Sequence, residues 1–358
     1  MQHLHAFVRM GALLLGLSGS APQLLAADFN GADLHALYRS GDYFECYRAS
    51  AEAARIYPQA ALPHFYAALA LTRGKKDLRL QRQVHNPYSK ALHYLEKARE
   101  VDPAGQQLSD VTRGLALVQR VLVRKASAAF RKGHPNIRSF FDRLAAVFDA
   151  REGIWKNNFH HGRLLVEEDY DFPAWDNPFY RLADTGRDLP GIDPEARKII
   201  YLHNLCRMNP RLFLDTYVRQ FVGPGFDDPA DSYLQSLIRE FRDAQAQAPY
   251  YPDAGLTLSA DYHAKDLHRN DIFGHTSSDG TACARRIDRI AGRRNRIGEN
   301  CAAGHNTPIH CFIDLLIDRG VPSLGHRRAI MDPYHRHIGV GIYDSVGRWK
   351  VWVFDFSE

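Results

Sequence analysis

The 358-residue sequence is poor in cysteine, methionine and tryptophan, has no long apolar run beyond its first residues, and has no strong charge of either sign. Each absence excludes something. Five cysteines (Cys46, Cys206, Cys283, Cys301 and Cys311) fit neither a C-x-x-C redox motif nor a zinc-knuckle spacing, and their odd number leaves at least one unpaired in a monomer. They read as structural residues, with a bridge from Cys301 to Cys283 or Cys311 left open. A membrane helix needs roughly 20 consecutive apolar residues, and no stretch after the N-terminus supplies them, so no integral membrane segment is expected once a leader is removed. The net charge of +5 is a small difference between 46 basic and 41 acidic residues. It creates no basic field, and no nucleic-acid motif accompanies it, so nucleic acid is not an expected partner. The local run Arg285, Arg286, Arg289, Arg293, Arg294 and Arg296 reads as one solvated helix face.

What is present begins with a leader. Arg9 precedes an apolar run from Met10 to Leu17, followed by a small-residue site at Ala26 and Ala27. That is the layout of a signal peptide over 1–27, too short and too interrupted to be an anchor. The expected location is therefore secreted or periplasmic. The remaining length suggests two domains.

From 28 to 133 apolar residues recur at three- and four-residue spacing, which predicts helices. Two segments repeat. Cys46, Ser50, Ala53 and Pro58 recur with the same offsets as Ala91, Leu95, Ala98 and Pro103, small residues allowing helices to approach and proline ending the second helix. This resembles a tetratricopeptide repeat, although the two prolines are 45 positions apart where that repeat has a period of about 34. The expectation is an all-α, tetratricopeptide-like region that offers a surface to a protein partner or packs as a scaffold. Residues 134–190, rich in aromatics broken by Pro, Gly and Asp, read as a connector.

The remaining 191–358 carries ordered motifs. Asp193, Pro194 and Glu195 mark a helix start, and the helix that follows contains His203, Asn204 and Arg207 in an H-N-x-x-R pattern. GHTSSDGT places His275 after Gly274. RIGENCAAG supplies Gly298, Glu299 and Asn300, and SLGHRR supplies Gly325, His326 and Arg327. Two alternating segments, IGVGIY and WKVWVFDF, close the chain as antiparallel strands. A segment of about 213–249 is added between the first two motifs.

In this order the motifs resemble the CAP superfamily of cysteine-rich secretory, antigen-five and pathogenesis-related proteins, in its bacterial SCP form. The resemblance implies an α+β fold: a C-terminal α-β-α sandwich around a small antiparallel sheet, preceded here by the helical region. It also implies a cleft containing His275, His326, Glu299 and a second acid. Asp318 is taken for that acid rather than Asp314, by similarity to bacterial members. Two imidazoles with carboxylates suit zinc, which would make His275 and His326 metal ligands, and Glu299 with Asp318 the acid–base pair. The same residues without a metal form a polar network.

The reading preferred at this point is a protein that binds a lipid, glycan or protein at the His/acid cleft, with helical repeats making partner contacts and without obligatory catalysis. A metal-assisted hydrolase, perhaps a peptidase in substrate class, is the first alternative. The second is an interaction protein whose CAP domain is structural. Cys301 reads as a buried or bridged thiol, and His305, His310, His335 and His337 as surface or strand-edge residues.

Overall fold

The structure, a computed structural model, describes residues 31–358 apart from 133, 135, 151, 158–163, 165 and 346–348. The expected leader lies outside the described residues, and no helix among them is long and apolar enough to cross a membrane. The described residues fall into two compact units, the first ending at 157 and the second beginning at 164.

The first unit is helical: α1 (Ala32–Ser40), α2 (Tyr43–Ile56), α3 (Ala61–Arg73), α4 (Leu78–Gln83), α5 (Pro87–Val101), α6 (Thr112–Arg131) and α7 (Ile137–Val147). Side chains at the helix starts satisfy backbone donors that the helix leaves unpaired. Asp42 accepts from the Glu45 N–H, and Asn86, with Pro87 at the first helical position, accepts from the Ser89 N–H. Helix α3 is buried along nearly its whole length, and both α2 and α5 pack on it. Its alanines permit that approach from two sides. Cys46 and Ser50 on α2, and Ala91, Leu95 and Ala98 on α5, are all fully covered, so the small residues with matching offsets do face helix contacts. Each of those helices ends two residues before its proline. Helix α6 also packs on α3, where a Cβ at Gly114 would come within 2.6 Å of the Phe65 ring. Segment 134–190 is divided: α7 belongs to the first unit, and short 3-10 turns at Glu168–Tyr170, Pro173–Trp175 and Pro178–Ala183 to the second.

The second unit is α+β. Its longer helices are α8 (Pro194–Met208), α9 (Ser232–Asp243), α10 (Ala254–Asn270), α11 (Cys283–Ala291), α12 (Pro308–Ile317) and α13 (Gly325–Met331). Asp193 caps α8 by accepting from the N–H groups of Glu195 and Ala196. Strands β1 (Tyr251–Pro252), β2 (Gly298–Ala303), β3 (His337–Tyr343) and β4 (Val351–Ser357) form one sheet in the order β1-β3-β4-β2. The two expected strands are β3 and β4, and β2 and β3 each run antiparallel to β4. β1 is parallel to β3, so the sheet is mixed at one edge: Tyr251 and Asp253 donate to the carbonyls of Arg336 and Ile338 just before Asp253 caps α10.

Alternation along the strands divides the sheet into two faces. One carries Ile338, Trp352, Phe354 and Phe356 and meets α8 and α12, where the His203 ring lies 5.3 Å from Phe354 and 4.5 Å from Phe312. The other carries Gly339, Gly341, Cys301, Val351 and Val353 beneath Ala260, Ala264 and Leu267 of α10. Here helix and strand are so close that a Cβ on Gly339 or Gly341 would sit inside the α10 backbone at Leu256–Thr257 or Ala260–Asp261. Only glycine fits at either position.

Candidate functional site

His275 is presented by the turn that ends α10. Asp271 adopts a left-handed conformation as the C-cap, and Gly274 takes φ 140° immediately before the histidine. From there Nδ1 of His275 donates to Oε1 of Glu299 at 2.8 Å. Glu299 lies on edge strand β2 and is almost fully covered, whereas the His275 side chain is 55% exposed. The other carboxylate oxygen, Oε2, accepts from Arg286 of α11. Arg286 has no exposed surface; it also donates to the Ser277 hydroxyl at 3.2 Å and reaches the His275 carbonyl at 3.4 Å. The arginine run expected as a solvated face is thus interrupted by a buried member, while Arg293 and Arg294 pair with Asp253 and Asp288.

Directly across the strand pair from Glu299 stands Asp355 of β4. Burial, reinforced by the charge of Glu299, pushes the Asp355 carboxyl well above the usual range. Burial also acts to raise the Glu299 carboxyl, but the His275 hydrogen bond and the Arg286 charge bring it net below its ordinary value. The hydrogen bond to Glu299 raises His275, against partial burial. The arrangement favours an ionised Glu299 beside a neutral Asp355, with a His275 that holds its proton more tightly than a free imidazole.

His326 is built differently. Helix α12 ends at Asp318, which takes φ 64° as C-cap, and the carboxylate turns toward the start of α13. Oδ1 accepts from Nδ1 of His326 at 2.7 Å, and Oδ2 accepts from the backbone N–H of His326 at 3.0 Å and of Arg327 at 3.3 Å. Asp318 is buried and the His326 side chain is 23% exposed. The one Asp318 carboxylate thus both orients the ring and satisfies the helix start. Asp314, the other sequence candidate, instead faces His305 at 3.4 Å.

The four predicted residues therefore form two pairs, His275–Glu299 and His326–Asp318. Strand β2 touches both: Glu299 holds the first histidine, and the side chain of Asn300, pointing to the opposite face, donates to the His326 carbonyl at 3.2 Å. Among the described residues no hydrogen-bond partner engages Nε2 of either histidine. Donor atoms that converge within 4.8 Å of one another form two groups among the described residues, His263–Glu299–Cys301 and Cys283–Glu299–Asp355. Neither contains His275 or His326.

Other motif residues hold the fold. Arg207 is fully buried and donates to the carbonyls of Ala248, Ile330, Asp332 and His335. Asn204 clasps Tyr250 by its N–H and its carbonyl. Arg327 donates to the carbonyls of Leu316, Ile317 and Tyr233 and to Ser236 and Glu240, so the added segment containing α9 is integral to this unit. His335 is buried and stacked on Phe356, not at the surface; a Cβ at Gly298 would come 2.9 Å from its ring, which gives the glycine of G-E-N a packing role. All five cysteines are free thiols, and Cys301 lies 3.8 Å from Nδ1 of His275.

A cavity of about 910 Å³ lies apart from these pairs, along β3, with Ala196, Ile200, Val340 and Ile342 among its apolar lining and Asp193, Asp261 and Lys350 among its charged residues. None of the four predicted site residues lines it.

Asp355 and His263 were not singled out from sequence, where Cys283 was read as structural and Arg286 as part of a solvated helix face. For Asp355 the available signal was its place in the alternating pattern VWVFDF, where an acid occupies a position as covered as its apolar neighbours.

Part of the second unit is similar to a known family. Residues 235–356 match the profile described as "CAP: Cysteine-rich secretory protein family". The chain is 29% identical over 113 residues to the uncharacterized protein YkwD of Bacillus subtilis strain 168, the match covering 32% of this chain and 42% of that protein. This chain thus spans less than half the length of that curated relative. It is also 26% identical to an extracellular protein containing an SCP domain from Bacillus anthracis strain Ames, known from a 1.5 Å crystal structure, with a TM-score of 0.26 and coverage of 34% of this chain and 37% of that one. Residues 235–356 of this protein are thus similar to the CAP family.

Proposed function

We propose that this is an exported CAP-domain protein that binds a ligand through His275 and His326, with the helical unit contacting a protein partner. The observation that carries the reading is the common construction of the two histidines. Each ring is fixed through Nδ1 by a buried carboxylate, leaving Nε2 as the nitrogen available to a ligand. A carboxylate on one ring nitrogen sets the tautomer and orientation of the other. The covered carboxylates are thereby removed from direct contact, so selectivity rests with the imidazoles and their surroundings. Lipids, glycans and proteins are the ligand classes considered. The N-terminal leader pattern supports export.

The test is binding of the full chain to lipid vesicles, to glycan arrays and to envelope proteins, beside His275→Ala and His326→Ala variants checked for folding. The reading predicts one class whose binding falls at least tenfold in both variants. Binding unchanged in both would reject it.

A metal-assisted hydrolase is the second reading, favoured by the same carboxylate–histidine pairs, since ligating histidines are commonly oriented through their second nitrogen. A metal there would polarise a carbonyl or activate water. The two rings share no third donor among the converging groups, so no reaction step is assigned to them. Hydrolysis of a peptide panel that survives both Glu299→Gln and His326→Ala would exclude this reading.

A further inference from the structure

Beneath His275 lies an arrangement that ligand binding at the imidazoles does not use. Cys283 at the start of α11, Glu299 on β2 and Asp355 on β4 bring a sulfur and two carboxylate oxygens within 4.8 Å of one another. Asp355 has no exposed surface, and neither of its carboxylate oxygens makes a well-formed hydrogen bond, although the Ser259 hydroxyl and Glu299 lie beside it. A buried carboxylate without partners is costly, and such groups call for an ion, a water or a proton to satisfy them.

We propose that Cys283, Glu299 and Asp355 form a binding site for a divalent cation of the zinc class, separate from the His275 and His326 imidazoles. The proposal is independent of the ligand-binding reading above. Three observations carry it.

The first is donor chemistry. One thiolate with two carboxylates provides the mixed sulfur and oxygen ligands that zinc accepts, at about 2.3 Å for sulfur and about 2.0–2.2 Å for oxygen. A magnesium or calcium site would be built from oxygen alone. Donors within 4.8 Å of each other close onto such an ion by side-chain adjustment of about an ångström.

The second is charge. Ionised Cys283, Glu299 and Asp355 carry three negative charges, and buried Arg286 on Glu299 supplies one positive charge. The remaining two are the charge of one divalent ion. Binding releases the protons that otherwise neutralise Cys283 and Asp355.

The third is the surrounding layer. Glu299 accepts from His275 Nδ1 and from Arg286 while its carboxylate faces the group, the kind of outer contact that fixes a metal-ligating acid. The competing set, His263–Glu299–Cys301, is less suited. Nε2 of His263 is bound to the Gly274 carbonyl at 2.9 Å and Nδ1 faces Ser277 at 3.4 Å, so that imidazole is already occupied. Cys283 is also partly exposed, unlike Cys301, giving an ion a route in.

The experiment is cobalt(II) titration of the reduced, chelator-treated full chain, read by the near-ultraviolet thiolate-to-cobalt charge-transfer band, followed by zinc displacement. The expected result is one cobalt per chain, a band abolished by Cys283→Ser, affinity reduced at least tenfold by Asp355→Asn, and both retained in His326→Ala. Alkylation of the unmodified protein, followed by mass spectrometry, provides a readout that needs no variant: zinc should slow modification of Cys283 at least tenfold. A band that persists in Cys283→Ser, or the absence of both band and protection, would overturn the site and assign the Asp355 proton to a shared contact with Glu299. Loss of the band in His326→Ala but not in Cys283→Ser would instead place the ion at the imidazoles with Cys301 as its thiolate, and would overturn the site.

Discussion

The two faces of the C-terminal sheet solve the same packing problem with opposite materials. Toward α8 and α12 the strands present Trp352, Phe354 and Phe356, and the buried arginines of that half, Arg207 and Arg327, donate largely to backbone carbonyls. Toward α10 and α11 the strands present glycine, cysteine and small aliphatics, then Glu299 and Asp355, and the buried arginine there meets a carboxylate. The first face is bulky and its polar groups are satisfied by main chain. The second is thin enough for a helix backbone to rest on Gly339 and Gly341, and it concentrates ionisable side chains. Bulk and buried carboxylates of the strands are thus divided between the faces, and β2 contributes to both through Glu299 on one and Asn300 on the other.

The largest effects should separate the two materials. Phe354→Ala and Arg286→Leu are each expected to cost about 3–5 kcal/mol, the first by opening a cavity and the second by leaving Glu299 buried without its cation. Adding Glu299→Gln should recover more than about 1 kcal/mol in the Arg286→Leu background and nothing in the Phe354→Ala background. Urea unfolding of the four variants measures this, and equal behaviour in both backgrounds would erase the distinction between the faces.

Next in size is Gly339→Ala, expected to destabilise by about 1–3 kcal/mol because the added methyl must displace α10. A neutral result would mean the helix does not rest on the strand.

Acid should act on the aromatic face through His203. Burial pushes this histidine down to about 3, below its ordinary value near 6.5. Between those values the unfolded chain binds the proton and the folded chain does not. The stabilisation from keeping His203 neutral is therefore complete above about pH 6.5 and is lost as pH falls toward 3, at on the order of 1 kcal/mol per pH unit. Urea midpoints from pH 7 to pH 5 should decline, and His203→Gln should flatten the decline. The smallest effect belongs to the helical unit: Asp42→Ala removes an N-cap and should cost about 1 kcal/mol there without changing the signals of Trp352 or His275.

Much of this was legible in the sequence wherever local rules decide. Asp193–Pro194–Glu195 predicted the start of α8, and alternation predicted β3 and β4. The α+β class and the similarity to the CAP family followed from ordered motifs. The pairing of His326 with Asp318, eight positions away, depends on one helix C-cap turning back to the next helix, a geometry that spacing suggests but does not determine. Arg286 was hidden because five neighbouring arginines made the helix look solvated; one position in a basic run faces inward, and only the fold selects which. Two-residue β1 carries no periodicity, so its parallel pairing could not be read. Asp355 and Cys283 come together from elements more than 70 positions apart, a closeness that alternation along one strand cannot reveal.

The central claim, that buried carboxylates hold His275 and His326 through Nδ1, is tested most directly by imidazole titration using side-chain nitrogen NMR of the full chain. His275 and His326 should both carry the Nδ1 proton at neutral pH. His275 should titrate above the ordinary histidine value and return toward it in Glu299→Gln, because the Glu299 hydrogen bond is the main cause of the rise. Neutral rings protonated at Nε2 instead of Nδ1 in the unmodified protein, or a His275 titration indifferent to Glu299→Gln, would contradict the account.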